Sequence, residues 1–142
     1  MSGALDSLSP RAEEHANKEY EAIRKNKYDV IKISENTGFS LQQIKAIKDY
    51  VFFQEHVFRN RPKGRFDADY DMALSWKRLI VGKDIWKSDI ILLKHELLEM
   101  EIASKYEYHE DAHEEAEKTY NYKLSIIEEK AKRNGKNRKY KD

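Results

Sequence analysis

The chain has no cysteine among its 142 residues, which excludes disulfides, thiolate metal ligands and thiol nucleophiles together. It has two prolines and five glycines, too few to end the many short strands of a sandwich or barrel. No apolar run approaches about 18 residues, so no membrane-spanning segment is predicted. The first residues lack a basic region followed by an apolar one, so no signal peptide is expected.

A large excess of either charge is also missing. There are 27 Lys and Arg residues against 26 Asp and Glu, a net charge of +1, which weakens any argument for nucleic-acid binding by the whole surface. Charged residues make up 37% of the chain and hydrophobic residues 39%. This length and composition predict one modest core in a single domain.

Helix start and stop signals predict a single compact all-α domain of five to six helices at 9–133. A flexible N terminus at 1–8 and a basic, disordered tail at 134–142 are expected to flank it. Ser9-Pro10 is a predicted helix start, and Asn36-Thr37-Gly38 is predicted to end the second helix. Asp29 and Ser88 are predicted helix caps, and Ser40 with Gln43 forms a capping box. The helices are predicted at about 10–24, 29–35, 40–53, 67–81, 88–105 and 109–133.

The last two predicted helices form a long C-terminal hairpin. The apolar stripe expected to pack the final helix consists of Ala112, Ala116, Tyr120, Leu124, Ile127 and Ala131.

The predicted helix at 88–105 carries ionisable residues on its apolar side. At 100° per residue, His95, Glu96 and Glu99 project away from the wet stripe of Lys94 and Glu101. A buried carboxylate is costly without a partner, so these groups need ion-pair partners, a metal or a water-filled cleft. All three readings remain open: simple packing pairs, a metal site, and metal-free acid–base chemistry.

The spacing of these residues suits a metal site. His95 and Glu99 stand at i and i+4, which aims two ligand atoms at one point. Glu96 follows His95 directly, as the general base does in His-Glu-x-x-His peptidases. His113 on the next helix is the candidate third ligand for zinc or another divalent cation. A Glu99–His113 pair fits the hairpin easily, whereas closing His95, Glu99 and His113 into one site requires a closer approach.

Two further regions have alternative interpretations. Residues 30–51 have the spacing of a helix-turn-helix, with Gln42, Gln43, Lys45 and Lys48 predicted to face outward, but any tight helical hairpin needs the same spacing. The basic loop at 59–65 is either an ordinary solvated loop or a grip for a phosphate or acidic partner.

The chain resembles a domain found at the C-terminal end of polymorphic toxins, including contact-dependent inhibition toxins, and of phage minor head (head morphogenesis) proteins. The resemblance covers roughly residues 9–122, with Lys77 standing where the family pattern has Gln. It is carried by Ser9-Pro10, Asn36-Thr37-Gly38-Phe39, Arg65-Phe66-Asp67, Ser75-Trp76-Lys77-Arg78-Leu79, Leu92-Leu93-Lys94-His95-Glu96 with Glu99, Ala112-His113 and Tyr120-Asn121-Tyr122.

This resemblance implies a toxin-like effector domain that acts in the bacterial cytoplasm and has a cognate immunity protein as partner. The positions that match the family pattern are His95, Glu96, Glu99, His113, Arg65, Asp67 and Arg78.

We expect a hydrolase that uses the His/Glu cluster, with a nuclease preferred because Arg65 and Arg78, with Asp67, could hold a phosphate of a nucleic-acid substrate. One alternative is a zinc metallopeptidase-like domain in which both arginines are structural. The other is a non-enzymatic helix-turn-helix DNA-binding module or a structural module of a phage head.

Overall fold

The computed structural model describes residues 9–141, with side-chain surroundings given to Gly135. Within that range the chain is helical, with one isolated antiparallel bridge between His56 and Gly64, which confirms the predicted all-α class. The helices are α1 Pro10–Lys25, α2 Asp29–Thr37, α3 Leu41–Lys48, α4 Tyr70–Val81, α5 Lys87–Ile102, α6 His109–Thr119 and α7 Tyr122–Lys141, with a π-helix at Asp49–Phe53 and a 3-10 turn at Ala103–Lys105.

The two predicted flanking segments lie largely outside this description. The predicted N terminus at 1–8 lies outside the described residues. For the predicted tail at 134–142, the structure describes the backbone as far as Lys141 and the side chains as far as Gly135. Among the described helices, none is long and apolar enough to cross a membrane.

Several predicted helix ends match the structure. Ser9 Oγ accepts the Ala12 N–H at 3.1 Å at the start of α1. The capping box at α3 is complete, with Ser40 Oγ and Gln43 Oε1 accepting each other's backbone N–H at 3.0 and 2.9 Å. Gly38 ends α2 in the left-handed conformation with φ 83°, which glycine adopts without strain.

The main core lies where α1, α2, α3 and the π-helix meet α4 and α5. Each helix contributes one apolar stripe, as the 3.6-residue period predicts. Helix α5 also packs on α6 and α7, so the polar residues on that side of α5 are buried too. The fully buried apolar residues at the centre include Tyr20, Ile33, Ile44, Ile47, Phe52, Trp76, Leu79 and Leu93.

The helix-turn-helix prediction placed Lys48 outside, which is wrong. Lys48 is 8% exposed, and its Nζ donates to Asp29 Oδ1 and to the Asn26 carbonyl, each at 2.8 Å. The predicted cap Asp29 is also wrong, because Tyr28 is the N-cap of α2 and Asp29 is the first residue of the helix. Trp76 Nε1 donates to the second oxygen of Asp29 at 3.0 Å. A lysine held in a buried ion pair cannot reach a base or a phosphate.

The predicted helix at 109–133 is in fact two helices. Tyr120 leaves the helical conformation with φ −128° and ψ 96°, and Asn121 Oδ1 accepts the Leu124 N–H at 3.0 Å to start α7. The break changes which face of the chain points inward. Ile126 is therefore buried, while Leu124 and Ile127, predicted to pack the core, are 49% and 64% exposed.

Candidate metal centre

The centre is built on α5 and completed by α6. His95 and Glu99 lie one turn apart on α5, and their side chains are 2% and 1% exposed. A short 3-10 turn and residues 106–108 reverse the chain, so that the first turn of α6 faces α5. His113 lies at the start of the second turn of α6, with its Nδ1 2.9 Å from Glu99 Oε1 and 3.2 Å from His95 Nε2.

The helix break at Tyr120 determines the protonation of His95. The Tyr120 carbonyl, free of α7, lies 2.8 Å from His95 Nδ1. A carbonyl oxygen can only accept a hydrogen bond, so Nδ1 carries a proton. In the neutral ring, Nε2 then has no proton and presents its lone pair. That lone pair faces Glu99 Oε1 at 3.2 Å and His113 Nδ1 at 3.2 Å. Since Glu99 Oε1 is also an acceptor, the contact requires either a second proton on His95 or a cation.

Glu99 is surrounded by polar groups on both of its oxygens. The Tyr50 hydroxyl donates to Oε2 at 2.6 Å. His109 Nδ1 lies 3.4 Å from the same oxygen without a well-aligned hydrogen bond. Burial raises the pKa of Glu99, but the rings of His109, His113 and His95 and the Tyr50 hydroxyl outweigh burial and hold the pKa well below its usual range. Glu99 is therefore a carboxylate anion.

The two histidines respond to this anion. Burial lowers the pKa of His95, but the contact with Glu99 and the charge of Glu96 outweigh burial and raise it overall. The contact with Glu99 raises the pKa of His113. Without a metal, the buried carboxylate is thus balanced by protons on the rings; a divalent cation can take the place of those protons.

The spacing of the three side chains fits a metal ion. One ligand atom each from His95, Glu99 and His113 lie within 4.8 Å of one another. Ligands about 2.0–2.1 Å from a tetrahedral zinc are about 3.3 Å apart, close to the observed contacts of 2.9 to 3.2 Å. The His113 side chain is 43% exposed, which leaves one side of the group open. The Tyr120 carbonyl gives His95 the outer partner that metal-bound histidines have.

Glu96 lies beside this group without belonging to it. It is 6% exposed, and its Oε2 has no hydrogen-bond partner among the described residues. Burial, and then the charge of Glu99, raise its pKa to about 8. An unpartnered buried carboxyl group is costly in a purely structural position, and such groups concentrate at reactive sites.

The other predicted site residues make contacts elsewhere. Arg78 forms a two-pronged ion pair with Asp89 at 2.8 and 2.9 Å and stacks on Trp86. Asp89 also accepts the Trp86 N–H at 2.9 Å. The predicted cap Ser88 is therefore wrong, because Trp86 is the capping residue and Ser88 is buried inside α5.

Arg65 and Asp67 lie in the loop before α4. Arg65 Nε donates to the Phe53 carbonyl at 3.2 Å, and Asp67 pairs with Arg61 at 2.9 Å. These contacts are with the loop itself and the π-helix rather than with the histidines.

A cavity of about 530 Å³ lies between α1, residues 66–71 and Lys123. Its wall residue Phe66 packs on the His109 ring with centroids 4.5 Å apart, but His95, Glu96, Glu99 and His113 do not line the cavity. Acidic side chains in its lining outnumber basic ones. The acidic ones are Glu13, Glu21, Asp67, Asp69 and Asp71, and the basic ones are Arg24 and Lys123.

Three groups at the centre were not predicted from the sequence: Tyr50, His109 and the Tyr120 carbonyl. Two of these had signals in the sequence. His109 begins the formal His-Glu-x-x-His match at 109–113, and Asn121 is a capping residue that marks the helix break before which the Tyr120 carbonyl is freed. Tyr50 lies 49 residues from Glu99, and nothing in its local sequence indicates the contact.

Comparisons with protein-family models, with curated proteins and with solved structures find no significant match to this chain.

Proposed function

We propose that this chain is a metal-dependent hydrolase in which His95, Glu99 and His113 hold zinc or another divalent cation. The observation that carries the proposal is the meeting of His95 Nε2, Glu99 Oε1 and His113 Nδ1 at 2.9 to 3.2 Å from one another, with His95 Nε2 turned inward because Nδ1 donates to the Tyr120 carbonyl. A cation at the meeting point satisfies all three side chains at once.

A bound cation supplies Lewis acidity and makes a nearby water easier to deprotonate. Glu96 is the proposed general base: it takes a proton from water as the water oxygen bonds to the substrate carbonyl. The proton then passes to the leaving nitrogen as the carbon–nitrogen bond breaks. The charge of the cation favours the ionised form of Glu96, which offsets the effect of burial.

Between the two hydrolytic alternatives, the contacts favour a peptide or other amide over a phosphodiester. Arg78 is engaged with Asp89 and Trp86, and Arg65 with Phe53, as the peptidase alternative requires.

The role as a toxin-like effector in the bacterial cytoplasm, with an immunity protein as partner, is supported by the sequence resemblance. This role predicts an effect on cell growth in addition to hydrolysis. Expression of the chain without its partner should arrest bacterial growth, and Glu96→Gln should relieve the arrest.

The test is hydrolysis by the purified full chain with added Zn²⁺, measured in parallel on a mixed fluorogenic peptide pool, on plasmid DNA and on RNA. We expect peptide cleavage that a chelator stops and that Glu96→Gln lowers at least a hundredfold. Glu101→Gln is the matched control, since Glu101 is an exposed residue of the same helix.

Cleavage of nucleic acid instead would keep the hydrolase and overturn the choice of substrate. Failure of the wild-type chain to bind Zn²⁺, or activity that Glu96→Gln leaves unchanged, would contradict the proposal.

A further inference from the structure

Tyr50 reaches the centre because of an irregular helix. Helix α3 continues into a π-helix at Asp49–Phe53, a wide turn that often marks functional sites. Tyr50 is 7% exposed, and its hydroxyl donates to Glu99 Oε2 at 2.6 Å.

The backbone of Tyr50 is held from the other side by the loop at 54–66. Its carbonyl accepts from His56 Nε2 at 2.9 Å. The His56 ring stacks on Phe66 with centroids 3.8 Å apart, and the backbone of His56 pairs with Gly64. The position of the Tyr50 hydroxyl is therefore determined by rigid neighbours and not by Glu99 alone.

This arrangement separates the two oxygens of Glu99. Oε2 is taken by Tyr50, whereas Oε1 faces His95 and His113 at 3.2 and 2.9 Å. We propose that Tyr50 is a positioning residue that makes Glu99 a one-oxygen metal ligand through Oε1. The inference rests on the proposed metal site and assigns a role to a residue outside the His/Glu group.

Loss of the hydroxyl should leave Oε2 with only the poorly aligned contact to His109 Nδ1 at 3.4 Å, so that the carboxylate can turn or bind the metal through both oxygens. Outer partners of metal ligands typically change metal affinity about 10–100-fold when removed. Glu99 should therefore hold the metal less tightly and with a different geometry in Tyr50→Phe.

The experiment measures the Zn²⁺ affinity of the full chain by competition with a chromophoric chelator. Tyr50→Phe should weaken it about 10–100-fold. Tyr122→Phe is the matched control, because it also removes a buried 2.6 Å hydroxyl contact, in this case with Ser75. Equal affinities for the two variants would overturn the inference.

Co²⁺ gives a second readout that a merely structural role would not change. One-oxygen coordination by Glu99 favours a strongly absorbing four-coordinate Co²⁺ spectrum, and Tyr50→Phe should weaken the absorption, whereas Tyr122→Phe should leave it unchanged. An identical spectrum in Tyr50→Phe would overturn the inference.

If Tyr50→Phe does not fold, the inference is tested on the wild-type chain by NMR with ¹³C-labelled tyrosine. The ring signal of Tyr50 should shift on Zn²⁺ addition, and an unchanged signal in a chain that binds the ion would overturn the inference. A wild-type chain that binds no metal contradicts the proposed function itself, so the two failures are distinguishable.

Discussion

Two buried carboxylates in this fold, Asp29 and Glu99, are each about 1% exposed, yet their surroundings differ. Asp29 lies among donors only. The Val30 N–H and Lys48 Nζ donate to Oδ1 at 2.8 Å each, and Trp76 Nε1 donates to Oδ2 at 3.0 Å. Charge and hydrogen bonds are matched without any further group.

Glu99 lies among groups whose donors and acceptors do not match. His95 Nδ1 donates to the Tyr120 carbonyl, so its Nε2 meets the Glu99 carboxylate only by holding a second proton or by sharing a cation. Glu96, one turn back, has an oxygen without a partner among the described residues. Burial of a carboxylate alone therefore does not identify a functional site. The Asp29 cluster ties α2, α3 and α4 together, whereas the ligand atoms of the Glu99 cluster lie within 4.8 Å of one another, a spacing that suits a cation.

The largest expected effect comes from breaking the matched cluster. Asp29→Ala should lower the free energy of unfolding by about 3–5 kcal/mol, because it leaves Lys48 buried without its counterion. Zn²⁺ affinity of the folded fraction should not change. Urea unfolding and chelator competition measure the two quantities.

The reverse pattern is expected for His113→Ala, which should abolish Zn²⁺ binding while costing little stability, since His113 is half exposed. If Asp29→Ala altered metal affinity, or His113→Ala destabilised the fold as strongly, the contrast between the clusters would be wrong.

A smaller effect concerns pH and Glu96. Its pKa rises from 4.5 to about 8 in the fold, so between these pH values the folded chain holds a proton that the unfolded chain has released. The contribution of Glu96 to stability is therefore fully present below pH 4.5 and is lost as pH rises through 8. Wild-type stability should fall by up to about 1.4 kcal/mol per pH unit in this window.

Glu96→Gln removes this titration, so its stability should fall less steeply from pH 5 to pH 8, measured by urea unfolding with metal chelated. Glu101→Gln, on the exposed side of the same helix, should follow the wild type. A parallel decline in all three proteins would show that Glu96 does not retain a proton in the fold.

The smallest effect is expected at Lys45, three residues before Lys48 but exposed. Lys45→Ala should change stability by less than about 0.5 kcal/mol, in contrast to any change at Lys48. If the chain bound duplex DNA and Lys45→Ala weakened that binding together with its salt dependence, the DNA-binding alternative would regain support.

Local signals predicted much of the fold. Ser9-Pro10, Ser40 with Gln43, and Gly38 predict helix ends that depend only on nearby atoms, and the structure has each of them. The prediction of one continuous helix through Tyr120 was wrong. Apolar periodicity suggested a single helix, whereas Asn121, a strong capping residue, starts a second one.

The candidate site was predictable to the extent that it lies on one helix. The phase of α5 alone placed His95, Glu96 and Glu99 on its apolar side, and hairpin geometry suggested His113. The sequence predicted Arg78 as a phosphate ligand because no ion-pair partner was evident at helical spacing. Its partner Asp89 lies eleven residues away, on the next helix.

The sequence by itself determined the helical class, most helix ends and the side of α5 that carries ionisable groups, because these follow from contacts within a few residues. The tertiary structure decided which of those groups have partners. Tyr50 and the Tyr120 carbonyl reach His95 and Glu99 only through packing of the π-helix and the α6–α7 break against α5. The absence of cysteine excluded thiolate ligands, and packing decided where histidine and carboxylate ligands meet instead.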